Sequence, residues 1–136
     1  MTLSANFRAS ASFRVRISLA IKNVPADTVP IHLVQDGGQQ HQATYLNRNP
    51  QGRVPSLALD DGQILTQSLA IIEYLDEVYP TPALLPRAPL AKAKVRAMAY
   101  LISCDVHPLN NLSGLQYLKS ALHVRNAQKT AWYHHW

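Results

Sequence analysis

The segment VPSLALDDGQILTQSLAIIEYL, residues 54–75, predicts two short strands followed directly by a helix. Apolar residues in 54–59 and 63–65 flank a turn-forming cluster, as in an antiparallel hairpin. The turn residues are Asp60, Asp61 and Gly62. Apolar side chains then recur at helical spacing on one face until Pro80 ends the helix. These side chains are Leu69, Ile72, Leu75 and Tyr79.

Upstream of this segment, strand and helix patterns alternate. Residues 3–6 predict a short first strand, and Ser10 to Lys22 predict a helix. Residues 28–34 predict a second strand, in which Pro30 favours an edge position. Residues 39–46 are either a brief helix or irregular. A strand–helix–strand order forms a parallel pair with a right-handed crossover. With the hairpin, the predicted fold is an α/β domain of βαβ–ββα order.

Downstream, the sequence changes character after a linker at 80–90 that contains four prolines. Residues 91–122 predict one long helix, bent near Pro108, and another helix begins at Asn126. Trp132 and Trp136 are four residues apart, so they share an apolar face at the end of the chain. We therefore expect the helical part to be incomplete, or to be buried against a partner chain.

The composition excludes several classes of protein. Apolar residues make up 47 % and charged residues 15 %, which argues against disorder. We find neither an apolar run long enough to span a membrane nor a signal-peptide pattern at the N-terminus. The one cysteine, Cys104, excludes an internal disulfide and a cysteine-rich zinc site, which fits a reducing cytoplasm.

The net charge of +5 favours an anionic partner. The basic residues are scattered and form no Lys/Arg-rich run, so we expect no nucleic-acid binding. A small anionic ligand accounts equally well for the charge.

Five stretches of the chain, in order, resemble zeta-class glutathione transferases. They are FRASASFRVRI (7–17), DGGQQ (36–40), NPQGRVP (49–55), QSLAIIEYL (67–75) and HPLNNL (107–112). The resemblance implies a thioredoxin-like, glutathione-binding domain at 1–82, followed at 83–136 by an incomplete all-helical domain. Members of this family continue through further helices, so the chain resembles one cut off early.

The same resemblance implies a function. The family includes glutathione-dependent maleylacetoacetate isomerases of tyrosine and phenylalanine breakdown, in which glutathione is a coenzyme. It also implies glutathione transferase activity, a homodimer and an anionic diacid substrate. Arg8 and Arg14 would help to attract this substrate, although Arg14 could equally hold its helix in place. Maleylpyruvate isomerase is an alternative within the class. A glutathione-binding module without turnover and a degraded reading frame without function are the others.

For glutathione, the resemblance assigns positions in the first domain. Val54 would pair with the peptide backbone of glutathione before a cis Pro55, although a plain strand-start proline gives the same sequence. Ser68, with Gln67 beside it, would hold the γ-glutamyl carboxylate at a helix N-terminus, where Ser is also an ordinary cap. Gln40 would meet the glycyl end, unless it is a solvated turn residue.

At the catalytic motif, the sequence departs from the family. The usual motif begins Arg-Ser-Ser, whereas this chain has Arg8, Ala9, Ser10 and Ala11. The first serine, which the family uses to stabilise the thiolate, is therefore missing. Ser10 is the replacement candidate, Ser12 is a weaker one, and Ala11 and Arg14 are expected to contact glutathione. Ser10 could instead be only a helix cap.

In the helical part, four residues match positions that line the active-site cleft of the family. They are His107, Asn111, Leu112 and Ser113. His107 and Asn111 would share a face of the long helix, unless they are polar groups at its bend. We interpret Cys104 as a buried helix residue without a catalytic role. His134 and His135 are adjacent and cannot face one site on a helix, so we predict no metal site.

Overall fold

Four short strands form one mixed sheet in the computed structural model, which describes all residues, 1–136. The strands are β1 (Thr2–Ala5), β2 (Asp27–Pro30), β3 (Ser56–Ala58) and β4 (Ile64–Thr66). Their order is β2-β1-β3-β4, with β1 parallel to β2 and the other neighbours antiparallel. Leu3 lies opposite Leu57, and Leu57 lies opposite Leu65. The predicted α/β class, parallel crossover and hairpin are therefore confirmed.

The core of this unit lies between the sheet and two helices, α1 (Ser10–Lys22) and α3 (Ser68–Val78). Its side chains are fully buried at five positions. They are Leu3, Val15, Leu57, Ile71 and Leu75. Each such aliphatic side chain contributes about 1.5–3 kcal/mol when it leaves water. A shorter helix, α2 (Ala43–Leu46), follows two 3₁₀ turns at Gln35–Gly37 and Gln39–His41.

The second strand is shorter than predicted, ending at Pro30 instead of residue 34. Its partner β1 ends at Ala5, whose carbonyl accepts the last bond from the Ile31 N–H at 2.8 Å. Beyond that point the chain has no neighbouring strand to pair with.

A buried lysine fastens the linker to the first unit. The Lys22 ammonium is fully buried and donates hydrogen bonds to the Asp76 carboxylate and to the carbonyls of Tyr79 and Pro82. Asp76 in turn accepts bonds from the backbone N–H groups of Leu84 and Leu85. The unit consequently extends over Met1–Leu85, past the predicted boundary at residue 82, and the second unit is Pro86–Trp136.

The second unit contains helices only. They are α4 (Pro89–Tyr100), a π-helix (Leu101–Val106), α5 (His107–Leu109), α6 (Leu112–Ser120) and α7 (Asn126–His135). The prediction of one long helix over 91–122 is wrong, because the helical conformation is interrupted at Asn110 and Asn111. Asn111 has extended backbone angles (φ −79°, ψ 163°), and its side chain accepts the Gly114 N–H at 2.9 Å, which starts a new helix.

The apolar side chains of the second unit remain largely in contact with solvent. Every residue from 86 to 136 is at least partly exposed. The predicted tryptophan face is confirmed: the rings of Trp132 and Trp136 lie 6.0 Å apart, and the Trp132 indole N–H donates to the Leu109 carbonyl at 2.9 Å. None of the helices is long and apolar enough to cross a membrane.

Candidate functional site

The N-terminus of α1 carries one accessible hydroxyl. Ala9 occupies the cap position in an extended conformation, and Ser10, the first helical residue, is exposed. Ser12 is fully buried, and its hydroxyl accepts the Asn6 N–H at 3.3 Å. Because a buried hydroxyl cannot reach a ligand, the structure does not support a catalytic role for Ser12. Ser10 is left as the candidate.

The loop before this helix is shaped by Asn6, which the sequence analysis missed. Asn6 is buried at the end of β1, donates from its amide to the Ile31 carbonyl at 2.8 Å, and accepts the Arg8 N–H at 3.0 Å. These bonds fix the backbone from which Ser10 projects. The Arg8 guanidinium itself lies over the Phe7 ring, 5.8 Å from its centre.

A second helix N-terminus is joined to the first by an arginine. Arg14, on α1, donates a hydrogen bond of 3.0 Å to the Ser68 hydroxyl, at the start of α3. That hydroxyl keeps its own proton to donate. The first turns of α1 and α3 contain no acidic residue. A guanidinium, a hydroxyl and the positive end of a helix dipole therefore meet, which is a donor set that fits a carboxylate.

The residue before Ser68 has an unusual backbone. Gln67 has φ 66° and ψ 114°, in the left-handed half of the map that a non-glycine residue seldom adopts. Strain of this kind persists only where the surrounding structure fixes it, and it is concentrated at binding sites. This backbone conformation fixes the direction in which the Gln67 side chain projects from the N-terminus of α3.

The third component is the turn that ends at Val54 and Pro55, whose peptide bond is cis as the resemblance implies. Val54 precedes Ser56, the first paired residue of β3. The Arg53 carbonyl just before it accepts two bonds, from the Tyr45 hydroxyl at 2.6 Å and the Asn49 amide at 2.7 Å. Burial raises the pKa of Tyr45, so the phenol remains a hydrogen-bond donor.

Gln40 lies inside its own loop. It is 5 % exposed and donates from its amide to the Leu33 carbonyl at 3.2 Å, while its amide oxygen is buried without a partner. Its side chain also fills the space beside Gly38, where an added Cβ would come within 2.5 Å of the amide nitrogen. The alternative of a solvated turn residue is therefore wrong. Contact with the glycyl end of glutathione remains a prediction, for which the amide nitrogen has a second N–H besides the one bonded to Leu33.

In the helical unit, the predicted residues have local roles. Asn111 caps α6, and Ser113 donates its hydroxyl proton to the Asn111 side chain at 2.8 Å. His107 starts the short helix α5, so it does not share a continuous helix with Asn111 as predicted. Leu112 is exposed. Cys104 lies in the π-helix but is exposed, so the prediction that it is buried is wrong.

A comparison with protein families identifies the first unit. The family model described as the N-terminal domain of glutathione S-transferase matches residues 6–83, more than half of the chain. The chain belongs to the glutathione S-transferase family.

Individual relatives place the similarity in the zeta class. The maleylacetoacetate isomerase of Pseudomonas aeruginosa is 48 % identical over the whole chain, which spans 64 % of that protein. A bacterial zeta-class maleylpyruvate isomerase of solved structure is 40 % identical with a TM-score of 0.90, over 97 % of this chain and 61 % of that one. The maleylacetoacetate isomerase of Methylobacterium extorquens AM1, solved with malonate and glutathione, is 38 % identical with a TM-score of 0.91, over the same shares.

The chain thus spans somewhat over three-fifths of the relatives' length. Its thioredoxin-like domain is present with the loop, the cis turn and the α3 N-terminus. The positions that sequence reasoning did not find are Asn6, Tyr45 and Asn49. Asn49 belongs to a stretch that resembles the family, whereas Asn6 and Tyr45 do not, and only the hydrogen bonds of these three side chains show what they hold in place.

Proposed function

We propose that the thioredoxin-like domain binds glutathione and that the protein catalyses glutathione-dependent isomerisation of maleylacetoacetate to fumarylacetoacetate. The observation that carries the proposal is the 3.0 Å bond from Arg14 to Ser68 at the N-terminus of α3. It presents a fixed cation and a hydroxyl proton where the γ-glutamyl carboxylate would lie. The relatives named maleylacetoacetate isomerase support the reaction.

The remaining residues would each contact a different part of glutathione. Val54 offers backbone groups to the peptide portion of glutathione, by strand addition ahead of β3. Gln67 lies beside the γ-glutamyl end, next to Ser68. Ser10 and Ala11 lie at the start of α1, where the thiol is expected.

When bound, glutathione supplies a thiolate that adds reversibly to the conjugated double bond, which can rotate while it is single. The Ser10 hydroxyl donates a hydrogen bond to that thiolate, and the positive N-terminus of α1 lowers its pKa further. Arg14 adds a positive charge one turn along the same helix. Because Ala9 has no hydroxyl, Ser10 alone provides the side-chain donor in this motif.

The substrate we propose is a small dianion. The net charge of +5 attracts such a molecule, and the structure from Methylobacterium extorquens contains malonate, a dicarboxylate. Maleylpyruvate is the second candidate, since a maleylpyruvate isomerase matches the fold at a TM-score of 0.90. The maleylacetoacetate isomerase from Pseudomonas aeruginosa has the higher identity, 48 % against 43 % for the maleylpyruvate isomerase of a Ralstonia species, and favours maleylacetoacetate.

The wider setting follows from the same proposal. An isomerase of this kind would act in tyrosine and phenylalanine breakdown, in the cytoplasm, where glutathione is reduced. We also propose a homodimer. Exposed apolar side chains on the helical unit, among them Leu90 at 70 % and Met98 at 71 %, support burial against a second copy.

The test combines binding and turnover on one sample. Calorimetric titration with glutathione is expected to give one site per chain, and isomerisation of maleylacetoacetate is expected to exceed that of maleylpyruvate. Ser10→Ala should lower kcat by about tenfold or more, since it removes a charge-assisted hydrogen bond. Ser120→Ala, which removes an exposed hydroxyl bonded within α6, is the control. Binding without turnover would contradict the catalytic part of the proposal, and no binding would contradict all of it.

A further inference from the structure

A hydrogen bond between two exposed side chains connects the cis turn with the start of α3. The Gln67 amide donates to the Gln51 side-chain oxygen at 2.8 Å, across 16 residues of sequence. We infer that Gln51 is a positioning residue for glutathione, which acts by fixing the Gln67 side chain. The inference rests on the proposed function and extends it to a residue that the family resemblance does not assign.

The backbone turn that carries Gln51 is fixed by hydrogen bonds to Asn49. Its backbone N–H donates to the Asn49 side chain at 3.1 Å, and Asn49 is 2 % exposed. The same Asn49 side chain donates to the Arg53 carbonyl, and its backbone carbonyl accepts the Gly52 N–H at 2.9 Å. The turn therefore holds Gln51 in place before any ligand arrives.

The bond also settles which end of Gln67 is presented. An amide side chain has one donor end and one acceptor end. Because the donor end is directed to Gln51, the acceptor oxygen is left for a ligand. The γ-glutamyl end of glutathione carries an ammonium group beside its carboxylate, and an ammonium needs an acceptor. Ser68 and Arg14 would bind the carboxylate and the Gln67 oxygen would bind the ammonium, so each charge of the γ-glutamyl end would have a complementary partner.

A purely structural reason for the Gln51–Gln67 bond is weak. Both side chains are exposed, so water replaces the bond readily in the free protein, and its contribution to folding is small. A ligand would change this balance, since it excludes water and needs Gln67 in one orientation. Fixing a side chain in advance strengthens binding by removing the ordering cost.

The experiment measures the glutathione Kd by calorimetry, and the thermal midpoint of unfolding, for four chains with single changes. Gln51→Ala and Gln51→Met should each raise the Kd roughly three- to tenfold without moving the thermal midpoint, because Met keeps the length and removes the amide acceptor. Gln67→Ala should raise the Kd at least as much. Gln63→Ala is the matched control, since it removes another exposed glutamine bond, to Asp61 at 3.1 Å, in the same domain.

The double variant tests whether Gln51 acts through Gln67. In the Gln67→Ala background, Gln51→Ala should raise the Kd less than twofold further. An equal Kd for Gln51→Ala and the unchanged chain would overturn the inference alone, as would an undiminished effect in the Gln67→Ala background. If the unchanged chain does not bind glutathione, the proposed function fails and this inference fails with it.

Discussion

The two units of the chain treat their apolar side chains very differently. In Met1–Leu85 a sheet and two helices enclose a core in which Leu3, Leu57 and Leu75 are fully buried. In Pro86–Trp136 no side chain reaches that state, and Leu101 and Ile102 are about half exposed. The difference teaches that the candidate glutathione site rests on the part of the chain that supplies its own core. The helices carry apolar surface that another surface can still cover.

The largest expected effect is the loss of stability on truncating a leucine, compared between the two units with one matched pair of substitutions. Leu75→Ala should destabilise the first unit by about 2–5 kcal/mol, because it leaves a cavity in a closed core. Leu101→Ala removes the same atoms from a side chain that is 53 % exposed, and should cost about 0.5 kcal/mol or less. Urea unfolding followed by circular dichroism measures both. A comparable loss for Leu101→Ala would show that the Leu101 side chain is buried in solution.

A smaller effect concerns the lysine that fastens the linker. Partial burial raises the pKa of Asp76, but hydrogen bonds from Lys22 and from the N–H groups of Leu84 and Leu85 outweigh this and leave its pKa lowered. A lowered carboxyl pKa stabilises the fold above its ordinary value of 3.8, and the stabilisation is lost as the pH falls through the lowered value. Asp76→Asn should therefore cost about 1.5–3 kcal/mol at pH 7.

The measurement is urea unfolding of both chains at pH 7 and at pH 3. The difference between Asp76→Asn and the unchanged chain should shrink at the lower pH. A difference that is independent of pH would contradict a role for the Asp76 charge.

The smallest effect lies in the helical unit. Asn111→Ala removes the cap of α6 and should cost about 1 kcal/mol of local stability, while Asn111→Ser should retain most of it. Amide exchange of the first turn of α6, followed by mass spectrometry, reports this locally. Equal protection in Asn111→Ala and the unchanged chain would mean that the cap contributes nothing to the helix.

Local patterns predicted the first unit well. The helix Ser10–Lys22 has the predicted bounds, since Asn23 adopts a left-handed conformation (φ 52°) and Pro25 follows. The parallel pair β1–β2 and the hairpin β3–β4 follow from the strand–helix–strand pattern and the turn residues, whereas the pairing of β1 with β3 was not predicted. Val54, Gln67 and Ser68 were found from a family resemblance, and the structure places them at the cis turn and at the start of α3.

What the sequence did not predict depends on bonds between distant residues or on competition between neighbours. Lys22 and Asp76 are 54 residues apart, and nothing local identifies them as partners. The prediction of one long helix failed because the Asn111 side chain accepts the Gly114 N–H and starts a new helix, although the spacing of apolar residues continues past Asn111. Ser12 matched a catalytic pattern, yet it faces the core.

The measurement that tests the account most directly is amide hydrogen exchange of the chain with and without glutathione. We predict slow exchange in β1, β3, α1 and α3, and faster exchange throughout Pro86–Trp136. Glutathione should add protection at the first turn of α3 and around Val54. Protection that is uniform across both units, or a glutathione effect confined to the helical unit, would contradict the account.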